Sequence, residues 1–206
     1  MTDLAAPTGA DGRALSARGT KTRQRLLDAA ESVFGEVGYH DASVVKITEA
    51  AGVGQGTFYL YFASKQEVFD ELVRDLNRRV RRAMKEASSQ GKTRLEQELL
   101  GFRAYFRFTF DHPALYRIIR QAEFVSPDML RYHYDRLSAG YIEALREAME
   151  RGEIAQLDPE VAAWALMGMG ELTGMRWMLW EQEPDMPARV FEELARIIGC
   201  VLERRE

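Results

Sequence analysis

The sequence predicts an all-α protein: an N-terminal three-helix unit holding a helix-turn-helix, joined by one long helix to a larger helical C-terminal domain. Three observations lead there. Apolar residues recur every three to four positions through most of the chain, and no stretch shows convincing strand alternation. Gly38, Gly52, Pro113, Pro127 and Pro159 cut that periodicity where helices stop and start. Two of the resulting segments are very short and straddle Gly52, the pattern of two helices about a tight turn.

Residues 1–18 are rich in Ala, Gly, Pro and Asp and carry little periodicity, so they read as a disordered arm. Its basic end either stays solvated or reaches phosphates or a minor groove. From Thr20 to about Val37, Leu26, Ala30, Val33, Phe34 and Val37 make one apolar helical stripe, which Gly38 ends. Ser43 can cap the next helix, carrying Val44, Ile47 and Ala50, and Gly52 can take the left-handed conformation that closes it. A further short helix, about Gln55 to Tyr61, starts with small and hydrogen-bonding side chains and ends in aromatics. Ser64-Lys-Gln-Glu67 is a capping box that opens a long helix to about residue 88, with Val68, Phe69, Leu72, Leu76, Val80 and Met84 on its apolar side. Its Arg74, Arg78, Arg79, Arg81, Arg82 and Lys85 read as a solvated, partly paired face. Further helices are predicted at about 92–110, 114–121, 127–151, 158–180 and 187–204. The domain reading is an arm over 1–18, a helix-turn-helix domain over 19–66 and a helical domain over 67–206.

The string Ile47-Thr-Glu-Ala-Ala-Gly-Val-Gly-Gln-Gly-Thr-Phe-Tyr-Leu-Tyr-Phe-Ala-Ser-Lys65 resembles the DNA-binding signature of the TetR family of bacterial transcriptional regulators. The match runs over roughly Thr20 to Phe69; beyond it the chain is compatible with that family without being diagnostic. In a helix-turn-helix the second helix enters the major groove and residues near its start reach base edges. Here these are Gly54, Gln55, Gly56 and Thr57. Gln55 can pair bidentately with adenine, and Thr57 can bond a base or touch a thymine methyl. Gly56 lets the backbone come close. The resemblance implies that Tyr59 and Lys65 hold phosphates. Ser43, Lys46, Thr48, Tyr61 and Arg23 complete the candidate DNA-binding set, while Phe58 and Phe62 are predicted to pack the small core.

Charge distribution supports a local rather than a general attraction for nucleic acid. The net charge is −4, but residues 1–90 hold 13 Lys+Arg against 12 Asp+Glu, and residues 91–206 hold 15 against 20. Arg13, Arg18, Lys21, Arg23 and Arg25 stand with no acid among them. Such a unit contacts few base pairs, so a two-fold dimer on a palindromic double-stranded operator is expected. Val161, Ala165, Gly168, Leu172, Met175 and Leu179 form one apolar stripe, and Val190, Leu194, Ile197, Ile198 and Val201 another. The resemblance implies that these helices, about 158–180 and 187–204, form a homodimer interface.

The region from Phe102 to Trp180 is rich in aromatics and Met, and the resemblance implies an effector cavity within it. The candidate lining is Phe102, Tyr105, Phe106, Tyr116, Phe124, Tyr141, Trp164, Met167 and Trp177, with Arg103, Arg107, Arg117, Arg120, Glu123, His133 and Glu171 as polar partners. This composition favours a small hydrophobic or aromatic effector, an acyl chain with its anionic head on an arginine being one form. The implied function is a dimeric, ligand-responsive transcriptional regulator that represses from its operator until the effector releases it. A helical ligand-binding protein without DNA, or an activator, is the alternative.

Catalysis is not expected, nor is any cofactor. His40, His112 and His133 are scattered, no metal-ligand spacing occurs, and no Gly-rich loop follows a strand. No apolar run is long enough to span a membrane and the first residues lack a signal-peptide pattern. The single Cys200 fits a reducing cytoplasm.

Overall fold

The computed structural model describes residues 7–203, so Met1 to Ala6 of the predicted arm and residues 204–206, the first of which is the predicted end of the last helix, lie outside the described residues. The described residues are all-α: α1 (Ala17–Asp41), α2 (Val44–Ala51), α3 (Gln55–Phe58), α4 (Lys65–Ser88), α5 (Arg94–Asp111), α6 (Ala114–Val125), α7 (Pro127–Glu150), α8 (Pro159–Gly174) and α9 (Ala188–Leu202). α8 runs on into a π-helical segment, Met175–Trp180. Among the described residues the sole β feature is an isolated bridge between Thr8 and Ala14.

The chain forms two compact units. The first takes the residues through Asp75 together with Arg117–Leu130; the second takes Leu76–Tyr116 and Arg131–Glu206. The expected boundary lay at residues 66/67, with everything after it in one domain. Instead α4, α6 and α7 each contribute residues to both units.

In the first unit Leu26, Leu27, Ala30 and Phe34 of α1 meet Ile47, Phe58, Phe62, Val68, Phe69 and Leu72, all fully buried or nearly so. Phe58 and Phe62 are core, as the pattern predicts. Phe34 and Phe69 meet edge-on at 5.3 Å, a geometry worth more than area burial alone. α1 is longer than predicted because Ser16 caps it by accepting from Gly19 N–H. Gly38, at φ 79°, breaks its regular geometry at the predicted residue, and one more turn follows to Asp41. There Gln121 accepts from Tyr39 N–H, and Arg117 donates to the Gly35 carbonyl at 2.8 Å. Residues 117–130 thus finish the end of α1.

The second unit is built on one cluster that includes Phe102, Phe106, Leu145, Met149, Leu166, Met178, Phe191, Leu194 and Ile198. α5 opens with a capping box between Thr93 and Glu96, and α8 opens on Asp158, whose carboxylate accepts from Glu160 and Val161 N–H ahead of Pro159. Two buried polar clusters are paired within this unit. Arg94 and Glu98 form an ion pair that Tyr141 joins through its hydroxyl, and burial raises the Glu98 carboxyl against the pull of Arg94 and Tyr141. Asn77 donates to the His133 carbonyl at 2.9 Å and lies 3.3 Å from its Nδ1. No helix among the described residues is long and apolar enough to cross a membrane.

Candidate functional site

The two short helices and their turn have the predicted local chemistry. Ser43 Oγ accepts from Lys46 N–H at 3.2 Å, capping α2. Gly52 ends α2 at φ 63°, ψ 41°, and its N–H returns to the helix carbonyls of Glu49 and Thr48. α3 is shorter than predicted: Gln55–Phe58, followed by a turn through Tyr59 to Tyr61. Gly54, Gln55, Gly56 and Tyr59 are exposed, and Thr57 and Tyr61 are half-buried. A Cβ built on Gly54 or Gly56 meets nothing within 4 Å. Glycine inside a helix costs about 1 kcal/mol relative to alanine, so no internal packing demand accounts for Gly56.

Three predicted contacts are occupied inside the unit. Thr48 is buried, and its hydroxyl donates to the Val45 carbonyl at 2.9 Å. Arg23 turns inward, paired with Glu71 and lying 5.1 Å over the Phe62 ring. Lys65 Nζ sits 2.7, 3.3 and 2.8 Å from the carbonyl oxygens of Tyr39, His40 and Ala42, and 4.4 Å over the Tyr39 ring. An ammonium has three donors, and these three acceptors engage them all. Lys65 therefore closes the C-terminal end of α1, where its charge also opposes the helix dipole. Lys46 stays exposed, with Nζ on the Asp41 carbonyl at 2.9 Å. Arg25, counted in the basic run, donates to the Ala51 carbonyl, whereas Arg13, Arg18 and Lys21 are exposed.

In the second unit Phe102, Phe106 and Tyr116 are buried, and Tyr105, Tyr141 and Trp177 pack against the same cluster. Phe124 departs from the prediction: it is 82% exposed and belongs to the first unit. Trp164 is exposed on α8 with its ring 5.8 Å from Tyr134, and Met167 is half-buried. A polar chain crosses this core. Tyr105 donates to the Tyr116 hydroxyl, Tyr116 donates to the Glu171 carbonyl, and Tyr134 donates to the Glu171 carboxylate, each at 2.8–3.0 Å. Burial lifts both Tyr105 and Tyr116 well above the usual phenol range, so they remain neutral donors. Tyr134 was not among the predicted residues; nothing in α7's periodicity marks which of its tyrosines faces Glu171. Gly174 makes the approach possible, since a Cβ there would strike the Tyr116 hydroxyl. Among the described residues no group of three His, Cys, Asp or Glu could hold a metal.

On α8, Val161 is 67% and Leu172 63% exposed, with Trp164 and Ala165 also exposed on that helix. Ile197 and Val201 of α9 are exposed too, but Val190, Leu194 and Ile198 of the second predicted stripe are core.

The helix-turn-helix region matches the profile of the bacterial regulatory proteins, tetR family, over residues 26–72. The HTH-type transcriptional regulator YdgC of Bacillus subtilis is 33% identical over 162 residues, covering 76% of this chain and 81% of the relative. The chain belongs to the TetR family of bacterial transcriptional regulators. The fatty acid metabolism regulator protein of Bacillus subtilis is a second TetR-like relative, 30% identical over 171 residues, 80% of this chain and 87% of the relative. The structure of FadR from Bacillus subtilis in complex with stearoyl-CoA aligns with a TM-score of 0.70 at 25% identity, covering 85% of this chain and 96% of that one. As a TetR-family member the chain is a transcriptional regulator related to regulators of fatty acid metabolism.

Proposed function

We propose that the protein is a homodimeric repressor that binds a palindromic operator through α2, α3 and the turn to Tyr61, and that a long-chain acyl thioester releases it. The observation that carries the DNA half is the exposed Gly54-Gln55-Gly56 start of α3, where none of the described residues fills the space above either glycine. Gln55 and Thr57 read base edges in this reading. Ser43, Lys46, Tyr59 and Tyr61 face the backbone, and the amides of Gly54 and Gly56 come close to it. The exposed side chains of α8 and the free faces of Ile197 and Val201 support dimerisation through α8 and α9.

The acyl half rests on the relatives named for fatty acid metabolism, one of them holding stearoyl-CoA, and on the apolar cluster of the second unit. An effector that prefers one arrangement of the dimer must weaken operator binding by the same coupling energy. α4, α6 and α7 each belong to both units, which supplies covalent routes for that coupling.

Genomic DNA fragments captured by the purified protein and sequenced should yield one palindrome. Stearoyl-CoA at saturation should then lower affinity for that duplex. No enriched palindrome removes the DNA reading; an unchanged affinity with bound stearoyl-CoA removes the acyl-release reading.

A further inference from the structure

The stretch ahead of α1 is folded in a way none of the roles above uses. Leu15 N–H bonds the Pro7 carbonyl at 3.0 Å, and Gly9 N–H bonds the Arg13 carbonyl at 2.9 Å. Gly12 turns the tip at φ 75°, a conformation glycine adopts without penalty. Asp11 Oδ1 accepts from Arg13 N–H at 3.0 Å and fixes that tip. The turn is also fastened to the DNA-reading unit: Ala10 N–H donates to the Leu60 carbonyl at 3.0 Å. Gly9 is pressed so close that a Cβ would lie 2.9 Å from the same oxygen. Only a residue without a side chain fits there unless the backbone shifts.

We propose that residues 7–16 are a second DNA-contacting element, in which Arg13 clamps the sugar–phosphate strand running beside the Tyr59–Tyr61 turn. This rests on the DNA-binding reading given above. The turn and the recognition turn form the two walls of one groove of about 580 Å³, lined among others by Gly9, Arg13, Ser16, Tyr59 and Tyr61. Its polar lining holds one carboxylate, Asp11, beside a guanidinium, one serine hydroxyl and two phenols, and those donors are the set a phosphodiester takes. The Arg13 side chain is 88% exposed, held only by a loose 3.6 Å pairing with Asp11, itself exposed. Such a pair is worth little in water and yields readily to a phosphate. Arg18 and Lys21 lie exposed in the first turns of α1, which follows directly, and add two positive charges close along the chain.

The test uses the intact protein, the operator duplex recovered above, and fluorescence anisotropy over a salt series. Arg13→Gln should weaken binding roughly three- to tenfold and lower the slope of log affinity against log salt by about 0.9 per bound subunit. Gly9→Val keeps every charge but drives the turn off Leu60, and should reproduce both changes without moving the melting temperature. Wild-type affinity and slope in Arg13→Gln would overturn the proposal. So would a weakened Arg13→Gln beside a normal Gly9→Val, because the charge would then act from an undocked tail. If the wild-type protein binds no duplex at any salt concentration, the DNA-binding reading itself falls, an outcome distinct from both.

Discussion

Gln55 and Lys65 flank the same short turn, yet one spends its side chain outside the chain and the other inside it. Lys65→Met should leave three carbonyls of α1's last turn without their charged donor. The expected loss is about 2 kcal/mol, read as a lower melting temperature in the absence of DNA. Gln55→Ala should leave the melt unchanged and flatten base preference at one position in each half-site, visible in a selection from randomised duplexes. The exposure of Gln55 was legible in the sequence because a polar residue at the start of a short helix has few internal partners in reach. Lys65 was not. Its partners lie more than twenty residues upstream, and no local pattern announces that the end of α1 comes to meet it. The burial of Thr48 was not legible for a similar reason: on a helix of eight residues its spacing alone does not separate the core side from the outer side.

At the scale of elements, two glycines in helical segments make opposite predictions. Gly56→Ala adds a methyl in open space, so it should raise stability by about 0.5–1 kcal/mol while weakening operator binding. Gly174→Ala adds the same methyl against the Tyr116 hydroxyl and should cost about 1–3 kcal/mol in urea unfolding. The measurements that separate them are a denaturation curve and a binding isotherm on each variant. Helix existence followed from apolar spacing, from caps such as Ser43 and Gly52, and from breaks such as Pro159, which act within a few residues of themselves. The π-helical Met175–Trp180 was not legible, because its apolar residues continue α8's pattern without a break. Nor was the folded turn before α1. Gly9 and Gly12 read as looseness in sequence, whereas Gly9 marks a tight approach to a carbonyl from a distant part of the chain.

For the whole molecule, the buried His133 ties stability to pH. Burial, aided by the nearby Arg81, lowers its imidazole to about 4 from an ordinary 6.5. The unfolded chain therefore binds a proton that the folded chain refuses between those values. Stability from this residue is complete above about pH 6.5 and declines as pH falls toward 4, by up to about 1.4 kcal/mol per unit. His133→Gln should flatten that part of the pH profile in denaturant titrations. Association is testable separately: Leu172→Arg on the exposed side of α8 should convert a dimer to a monomer in sedimentation while the far-ultraviolet helix signal stays constant.

Residues 117–130 give the chain one more property, which concerns how it can be cut and rejoined. The first unit is not a cassette that ends where its family signature ends. Arg117 on the Gly35 carbonyl and Gln121 on the Tyr39 amide are supplied from a segment whose codons lie some eighty positions downstream. A chimera that transplants only residues 1–66 into another regulator inherits α2 and α3 but leaves the end of α1 unfinished. Grafts that carry residues 117–130 along should recover function where shorter ones do not, so recombination between relatives is constrained at two places rather than one.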